Sequence, residues 1–590
     1  VIAPDARAGA PGSSLYETLA PAVSRAAPRL TDAERRVVSA ELEVLRGLRE
    51  GDALEQARAA ASRVRERLYD DSASVLLRMH AIAGTGTYES CRSSLAIVRA
   101  CHRLGIRAGA RGRDDVELVV GRGHIAPVFY AEDYVDGLLP FALLATLHHG
   151  LTGIVDRRWG FGHTMRYSLG VGIAQAVSRA WSIRQRGENT KVVVLAGDGE
   201  LHEGIAAEAL RFAEERRLDN LVLVVDANGR GIDPLPRPLA AADLASFFAR
   251  DAVAELDGED VERVAEALEN ALKKERGAAL VCRTTKGAHS FANPGARKPA
   301  PFSKRAGTVV RDFARERNLE CAVFTADMAS RFGLADLPHV NVSLAETLGV
   351  GLTLGLPDHV LKIVATDDKY FLDSINMLTE ASTTSSRVVL LAGKSWSSWG
   401  GATNALNLLS RVTNARVYEP VCEGELRRGL LRALERPDEM HVLSLIDAEV
   451  DAPPWVLADL DRPLWVVPPA GRRTAVVTFG YAGTLVAAAN RDGHVAHLHS
   501  AALRPVLTAG DVRALRAMDA LLAIEYNAVQ DGLGTFLRAE HLLPIARYGP
   551  DGDAATCVHE LQLEHFGMDR ASIGRRIAEL ARAGISAQLT

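Results

Sequence analysis

Short, unbroken apolar runs alternate with amphipathic stretches along most of this 590-residue chain. Residues 191–195 (KVVVL) and 221–225 (LVLVV) are apolar without alternation, the pattern of parallel strands covered on both faces. Between them Ile205, Leu210 and Phe212 recur at helical spacing, and 280–282 closes this first series. A second series starts at 321 (CAVFTAD) and runs through 362–364, 387–392 (RVVLLA), 415–420 (ARVYEP) and 441–446 (HVLSLI). A third holds 474–480 (TAVVTFG), 494–500 and 520–526 (ALLAIEY). Strand–helix alternation three times over predicts an α/β protein with three open, mostly parallel sheets. Ahead of them, 31–69 is rich in Ala, Leu, Arg and Glu at helical spacing, with a helix start at 31–34 (TDAE). We read it as an N-terminal helical extension packed on the body; a partner-docking or dimer-stabilising arm is the alternative.

Two Pro-rich stretches, 292–304 (ANPGARKPAPFSK) and 453–469 with five prolines, read as linkers. The expected organisation is a helical extension over 1–78 and α/β domains over 79–300, 307–452 and 470–590. At this length one core is too few. The net charge of -5 is small and Lys and Arg are dispersed, so no nucleic-acid partner is expected. Six cysteines lie far apart with no C-x-x-C pair, which fits a reducing compartment without structural zinc. Residues 1–12 lack a signal-peptide layout and no apolar run reaches the about eighteen residues of a membrane span. The expectation is a cytoplasmic protein with no membrane contact.

The chemistry concentrates in 192–204 (VVVLAGDGELHEG) and 221–233 (LVLVVDANGRGID). Ligands bind at strand ends of open α/β sheets. Gly197 and Gly199 bracket Asp198 at such an end, where the backbone turns tightly, and amides beyond it suit a diphosphate. Asp198 and Asn228 supply hard oxygen ligands at neighbouring strand ends. With a backbone carbonyl and diphosphate oxygens they make a site for magnesium or calcium.

These phrases resemble the thiamine-diphosphate enzymes of the transketolase-like class, in which G-D-G is followed by Asn at this distance, here thirty positions. The resemblance implies thiamine diphosphate and Mg2+ (or Ca2+) bound by Gly197, Asp198, Gly199 and Asn228, with Arg230 lending its main-chain carbonyl to the metal. Residues 119–131 (VVGRGHIAPVFYA) are similar to the family's G-H-x-x-P segment, which makes His124 a substrate or diphosphate contact; a buried structural histidine is the alternative. Residues 160–176 (GFGHTMRYSLGVGIAQA) resemble the family's glycine-rich cofactor segment, implying His163 near the reacting centre and Gly170 and Gly172 against the cofactor. Residues 283–291 (RTTKGAHSF) add His289.

Residues 339–356 (HVNVSLAETLGVGLTLGL) resemble the helix start that carries the family's activating carboxylate, here Glu346. That group hydrogen-bonds the cofactor's aminopyrimidine ring, and a carboxyl in an apolar setting has the raised pKa to donate a proton. Glu203 matches the glutamate that meets it across the dimer, and 324–330 (FTADMAS) places Asp327 near the thiazolium. Residues 525–537 and 560–573 resemble the family's C-terminal domain, which carries no essential catalysis. The resemblance thus covers 80–590 in the order diphosphate domain, pyrimidine domain, C-terminal domain, and implies a homodimer with the cofactor between subunits.

The chain also departs from the family. The G-E-D-G-P-T-H-Q phrase of sugar-phosphate transketolases falls on 394–407 (KSWSSWGGATNALN), with Asn404 at the histidine position and Trp399-Gly400 at the acidic pair. Trp396 and Trp399 point to a flatter or more apolar substrate, or pack the loop. Asp367 aligns with the aromatic that stacks on the pyrimidine; Tyr370 or Phe371 takes that role if the register shifts. The expected function is transfer of a two-carbon ketol or acyl unit from a ketose or 2-oxo acid to an acceptor carbonyl, with a non-standard substrate. A 2-oxo acid decarboxylase passing an acyl group to a carrier, like the first component of the 2-oxo acid dehydrogenases, is the alternative. A non-catalytic assembly subunit is the third reading.

Overall fold

The apolar runs become strands covered on both faces. In the computed structural model β1 (Val116–Val120), β2 (Lys191–Gly197), β3 (Leu221–Ala227), β4 (Val253–Asp257) and β5 (Ala278–Arg283) form a wholly parallel sheet in the order β1-β2-β3-β5-β4. Side chains alternate along a strand. Val192, Val194 and Ala196 therefore enter one core with the helices Val171–Gln185 and Gly204–Glu215, while Val193 and Leu195 enter the opposite core with the helix Val261–Leu272. Residues 14–48, 51–64, 66–108, 112–161, 168–287, 301–394, 403–551 and 559–583 are described, and the chain divides into two compact units, Val1–Arg297 and Lys298–Thr590.

The N-terminal segment is helical and packed on the first unit. Thr31 caps the helix Asp32–Gly47 through a reciprocal pair, Glu34 N to Thr31 Oγ1 at 3.2 Å and Thr31 N to Glu34 Oε2 at 2.6 Å. Leu15, Leu19, Val37 and Leu45 share one hydrophobic core with Val116 and Val120 of β1.

The second unit holds the other two sheets. Strands β6 (Cys321–Thr325), β7 (Val340–Asn341), β8 (Leu361–Asp367), β9 (Val388–Gly393), β10 (Ala415–Tyr418) and β11 (Met440–Leu445) are parallel in the order β10-β11-β9-β8-β6-β7. Strands β12 (Leu464–Val467), β13 (Thr474–Phe479), β14 (Ala496–Ser500), β15 (Ala520–Ile524) and β16 (Ile545–Tyr548) follow in the order β12-β14-β13-β15-β16. Only β12, paired to β14, is antiparallel among these. It lies in the stretch whose prolines mark a linker. Pro463 and Pro468 sit at its two ends on a sheet edge, where a missing N–H costs no ladder bond. Among the described residues no helix is long and apolar enough to cross a membrane.

A buried ion pair joins the two sheets of this unit. Lys394, just past β9, and Glu419, just past β10, are both fully buried and bonded to each other. Lys394 Nζ also donates to Asn527 Oδ1 at 2.6 Å, beyond β15. Glu419 accepts from Ser444 Oγ at 3.2 Å and from Tyr481 N at 2.9 Å. Removing one partner strands the other charge. We expect Lys394→Met to cost about 3–5 kcal/mol in chemical denaturation, and Lys394→Met with Glu419→Leu to recover most of it. Equal loss in the single and double variants would contradict this account.

Candidate active site

Parallel strands that end level deliver their next residues to one place. Gly197 of β2 pairs with Asp226 of β3, and Asp226 with Cys282 of β5, so residues following β1, β2, β3 and β5 gather at one edge. Asp198 is buried there. Its Oδ1 accepts from Gly199 N at 2.9 Å and its Oδ2 from Gly229 N at 2.6 Å, which locks the G-D-G turn to the loop after β3. Burial pushes its carboxyl above the usual range, against the opposing pull of the Gly229 amide and Arg122. Asn228 directs Oδ1 toward Arg230 N at 3.1 Å and Nδ2 toward Ser93 Oγ at 3.3 Å and Asp226 Oδ1 at 3.4 Å. Arg230 bridges Pro234, with Gly231 N donating to Asp233 O and Leu235 N to Gly229 O. That register leaves the Arg230 carbonyl outside the ladder.

This donor set fits a divalent cation. A buried carboxylate, an amide oxygen and a main-chain carbonyl outside the ladder are hard oxygen ligands, and the raised pKa of Asp198 marks a carboxylate that a cation would favour in its charged form. The Gly199 amide, assigned from sequence to a diphosphate, is engaged by Asp198 within the turn.

Close backbone approach explains the glycines. A Cβ on Gly172 would lie 2.4 Å from Gly121 Cα, so the helix Val171–Gln185 rests directly on the end of β1. Gly170 has φ +77°, and a Cβ there would lie 2.7 Å from Glu203 Cβ. A Cβ on Gly197 would meet Arg122 Cδ at 2.5 Å. Glu203, half-buried, precedes the helix Gly204–Glu215.

Two acidic side chains that the sequence analysis did not single out, Glu200 and Asp226, organise this edge. Glu200, buried, accepts from Gly170 N at 2.9 Å and Gly197 N at 3.3 Å, joining two glycine segments. Asp226, fully buried, takes Ser93 Oγ and Ser94 Oγ at 2.7 Å each, together with Arg122 and Thr284 Oγ1. Burial raises its pKa, but Arg122 and the three hydroxyls outweigh that and hold the carboxyl below its ordinary value. Both acids stood within the quoted motifs, Glu200 directly after G-D-G and Asp226 at the head of D-x-N-G. His124 lies half-buried in the turn Gly123–Ile125, its carbonyl accepting from Thr87 Oγ1 at 2.7 Å. Burial first, then Arg122 and Lys286, lowers its pKa to about 3, so the ring is neutral at physiological pH.

In the second unit Glu346 opens the helix Glu346–Gly351, buried, with Oε1 accepting from Thr366 Oγ1 at 3.2 Å. Burial raises its pKa to about 7, with smaller contributions from Asp373 and Asp367. Asn341 Oδ1 accepts from Asp327 N at 3.2 Å and Ser343 N at 2.9 Å, pinning two residues held at φ +57°. Such left-handed backbone is strained in a side-chain-bearing residue and collects at functional sites. Phe371 is fully buried in a core with Phe324, Val350 and Val364, whereas Tyr370 is half-buried with the Lys369 ammonium 4.9 Å from its ring centre. Asp367 ion-pairs with Arg331 at 3.0 Å, and Gly393 makes room, since a Cβ there would meet Asp367 Oδ1 at 2.4 Å. Its pKa is raised to about 6, burial outweighing Arg331. Asn404 is exposed, preceding the helix Ala405–Leu409. His163, His289, Trp396 and Trp399 lie outside the described residues.

Residues 161–305 match the family "Transketolase, thiamine diphosphate binding domain". The chain is 32% identical over 228 residues to "Transketolase-like protein 2" of Bos taurus, a match covering 36% of each chain. It is 37% identical over 120 residues to the "6-deoxy-6-sulfo-D-fructose transketolase subunit SqwG" of Clostridium sp. (strain MSTE9), covering 20% of this chain and 44% of that one. Thus the chain spans under half the length of the curated relatives it matches. Among solved structures, "Transketolase from Leishmania mexicana" aligns at TM-score 0.42 and 15% identity over 98% of this chain and 99% of that one.

Glu346 has a consequence for stability. Its pKa rises from 4.5 to about 7 on folding, so its contribution is full below pH 4.5 and is lost as pH rises through about 7. Glu346→Gln removes that loss. At about 1.4 kcal/mol per pKa unit the variant should exceed the native protein by a few kcal/mol above pH 7, and match it in this respect below pH 4.5. Melting temperatures across pH check this; a pH-independent gap would refute it.

Proposed function

We infer that this chain, which is of the transketolase-like family, is a thiamine-diphosphate-dependent enzyme that moves a two-carbon unit from a ketose or 2-oxo acid to an acceptor carbonyl. The observation that carries this is the meeting of Asp198 and Asn228 at adjacent strand ends, tied by the Gly229 amide. Asp198, Asn228 and the Arg230 carbonyl would hold magnesium or calcium, and the metal would hold the diphosphate. When bound, thiamine diphosphate supplies the electron sink for cleaving and forming the carbon–carbon bond.

The protein's own residues do the rest. Glu346, kept protonated near neutrality by burial, holds a proton on its carboxyl for a ring nitrogen. Neutral His124 offers a donor and an acceptor to substrate hydroxyls or to the diphosphate. Glu203 and Asp327 stand as further contacts, and Tyr370 keeps more of its ring accessible for stacking than Phe371 does.

A non-standard donor follows from the phrase 394–407. Its one cation, Lys394, is buried against Glu419, and Asn404 is neutral. Neither is suited to a terminal phosphate. Two copies are proposed to form the working unit. Val171, Ile205, Trp181 and Phe212, on the helices flanking the metal edge of the first unit, are between 36% and 44% exposed, apolar side chains that a second copy would cover.

Calorimetry with thiamine diphosphate and MgCl2, followed by hydroxypyruvate or pyruvate with an acceptor aldehyde, tests the assignment. Glu346→Ala should retain cofactor binding and lose about 100-fold or more in turnover. No cofactor binding by the native protein, or full activity in the variant, would overturn it; acyl transfer only to a lipoyl carrier would select the decarboxylase reading. Sedimentation should show a dimer that Trp181→Glu weakens, and a native monomer at micromolar concentration would contradict the shared site.

A further inference from the structure

We propose that Asp226, paired with Arg122, is a positioning residue that decides which face of the Asn228 amide is presented to a divalent cation. The proposal rests on the metal reading above and concerns a residue to which that reading gives no role.

The argument begins with what a carboxylate offers. It has acceptor sites only. The oxygens of Asp226 face Ser93 Oγ and Ser94 Oγ at 2.7 Å, Thr284 Oγ1, the Arg122 guanidinium and, at 3.4 Å, Asn228 Nδ2. All of these are donors. An asparagine side chain presents nearly the same shape with its oxygen and nitrogen exchanged, so its orientation is set by the groups around it. Beside an acceptor-only wall the NH2 turns inward, with Ser93 Oγ at 3.3 Å as its second acceptor. The oxygen then turns to the opposite side, where it accepts from Arg230 N at 3.1 Å and is left as a ligand for a cation.

Arg122 completes the device. It compensates a carboxylate that is fully buried at the penultimate position of β3. The same guanidinium arm lies against Gly197, where a Cβ would be 2.5 Å from Cδ and 3.1 Å from Nε. One ion pair therefore ties the turn after β1 to the end of β2 and to β3, and Thr284 adds the segment after β5. The strand ends that carry Asp198 and Asn228 are thus joined by groups outside the proposed ligand set.

The test separates orientation from general support. Mn2+ is titrated, with thiamine diphosphate present, into native protein, Asp226→Asn, and Asp226→Asn combined with Asn228→Asp, with circular dichroism and melting confirming that each is folded. Asparagine at 226 can donate as well as accept, so the Asn228 amide loses its preferred face; we expect Mn2+ affinity to fall about 10-fold or more. Aspartate at 228 shows an oxygen in either orientation, so the double variant should return to within about 3-fold of native. A double variant no better than Asp226→Asn would mean only structural support and would overturn the proposal, as would unchanged affinity in Asp226→Asn. Failure of the native protein to bind Mn2+ with thiamine diphosphate would instead overturn the metal reading, and this inference with it.

Discussion

A carboxylate sealed from water beneath the edge of a parallel sheet has to be met by donors from the protein, and Asp226 meets its donors from four places in the chain. Ser93 and Ser94 come from the helix Tyr88–Arg103, Arg122 from the turn after β1, Thr284 from the segment after β5, and Asn228 from the loop after β3. Strands β2 and β3 are buried on both faces, and their charged residues, Lys191 and Asp226, stand at or next to a strand end. Polar chemistry is therefore confined to their ends. The glycines at 121, 170, 172 and 197 follow from the same crowding, because the helix starts, Glu200 and the arm of Arg122 occupy the space their side chains would fill.

The second unit shows how burial sorts ionisable groups by their company. Lys394 and Glu419 neutralise each other and are saturated by Asn527, Ser444 and the Tyr481 amide, which makes them a joint between two sheets. Glu346 is also buried, but its hydrogen-bond donors are the Thr366 hydroxyl and its own backbone amide and no cation pairs with it, so it meets neutrality as an acid. Asp367 lies between these cases: Arg331 stands 3.0 Å away, and the carboxyl is still raised. A neighbouring cation together with a full set of donors separates Glu419 from Glu346; a cation alone does not hold Asp367 down.

Much of this was legible in the chain. Uninterrupted apolar runs marked the central strands because both their faces are covered. The run 31–34 announced a helix start, and G-D-G and the following Asn fall at the level ends of adjacent strands. Other features were hidden for physical reasons. Strand β12 lies between prolines that normally speak against a strand, and only its place on a sheet edge makes them compatible. Lys394 opens the phrase 394–407 with nothing local to mark its burial, because its partners Glu419 and Asn527 are distant in the chain. Phe371 reads as an available aromatic until the core closes over it.

The sequence by itself determined which segments become strands and helices, and which residues the turn after β2 must contain, since those depend on local periodicity and on glycine's backbone freedom. Tertiary structure decided the protonation and orientation of the groups at the site. Glu346 becomes an acid near neutrality only through its surroundings, and Asn228 acquires a defined face only because Asp226, Ser93 and Arg230 surround it. Those properties belong to the electrostatics of packed neighbours, which no stretch of adjacent residues contains.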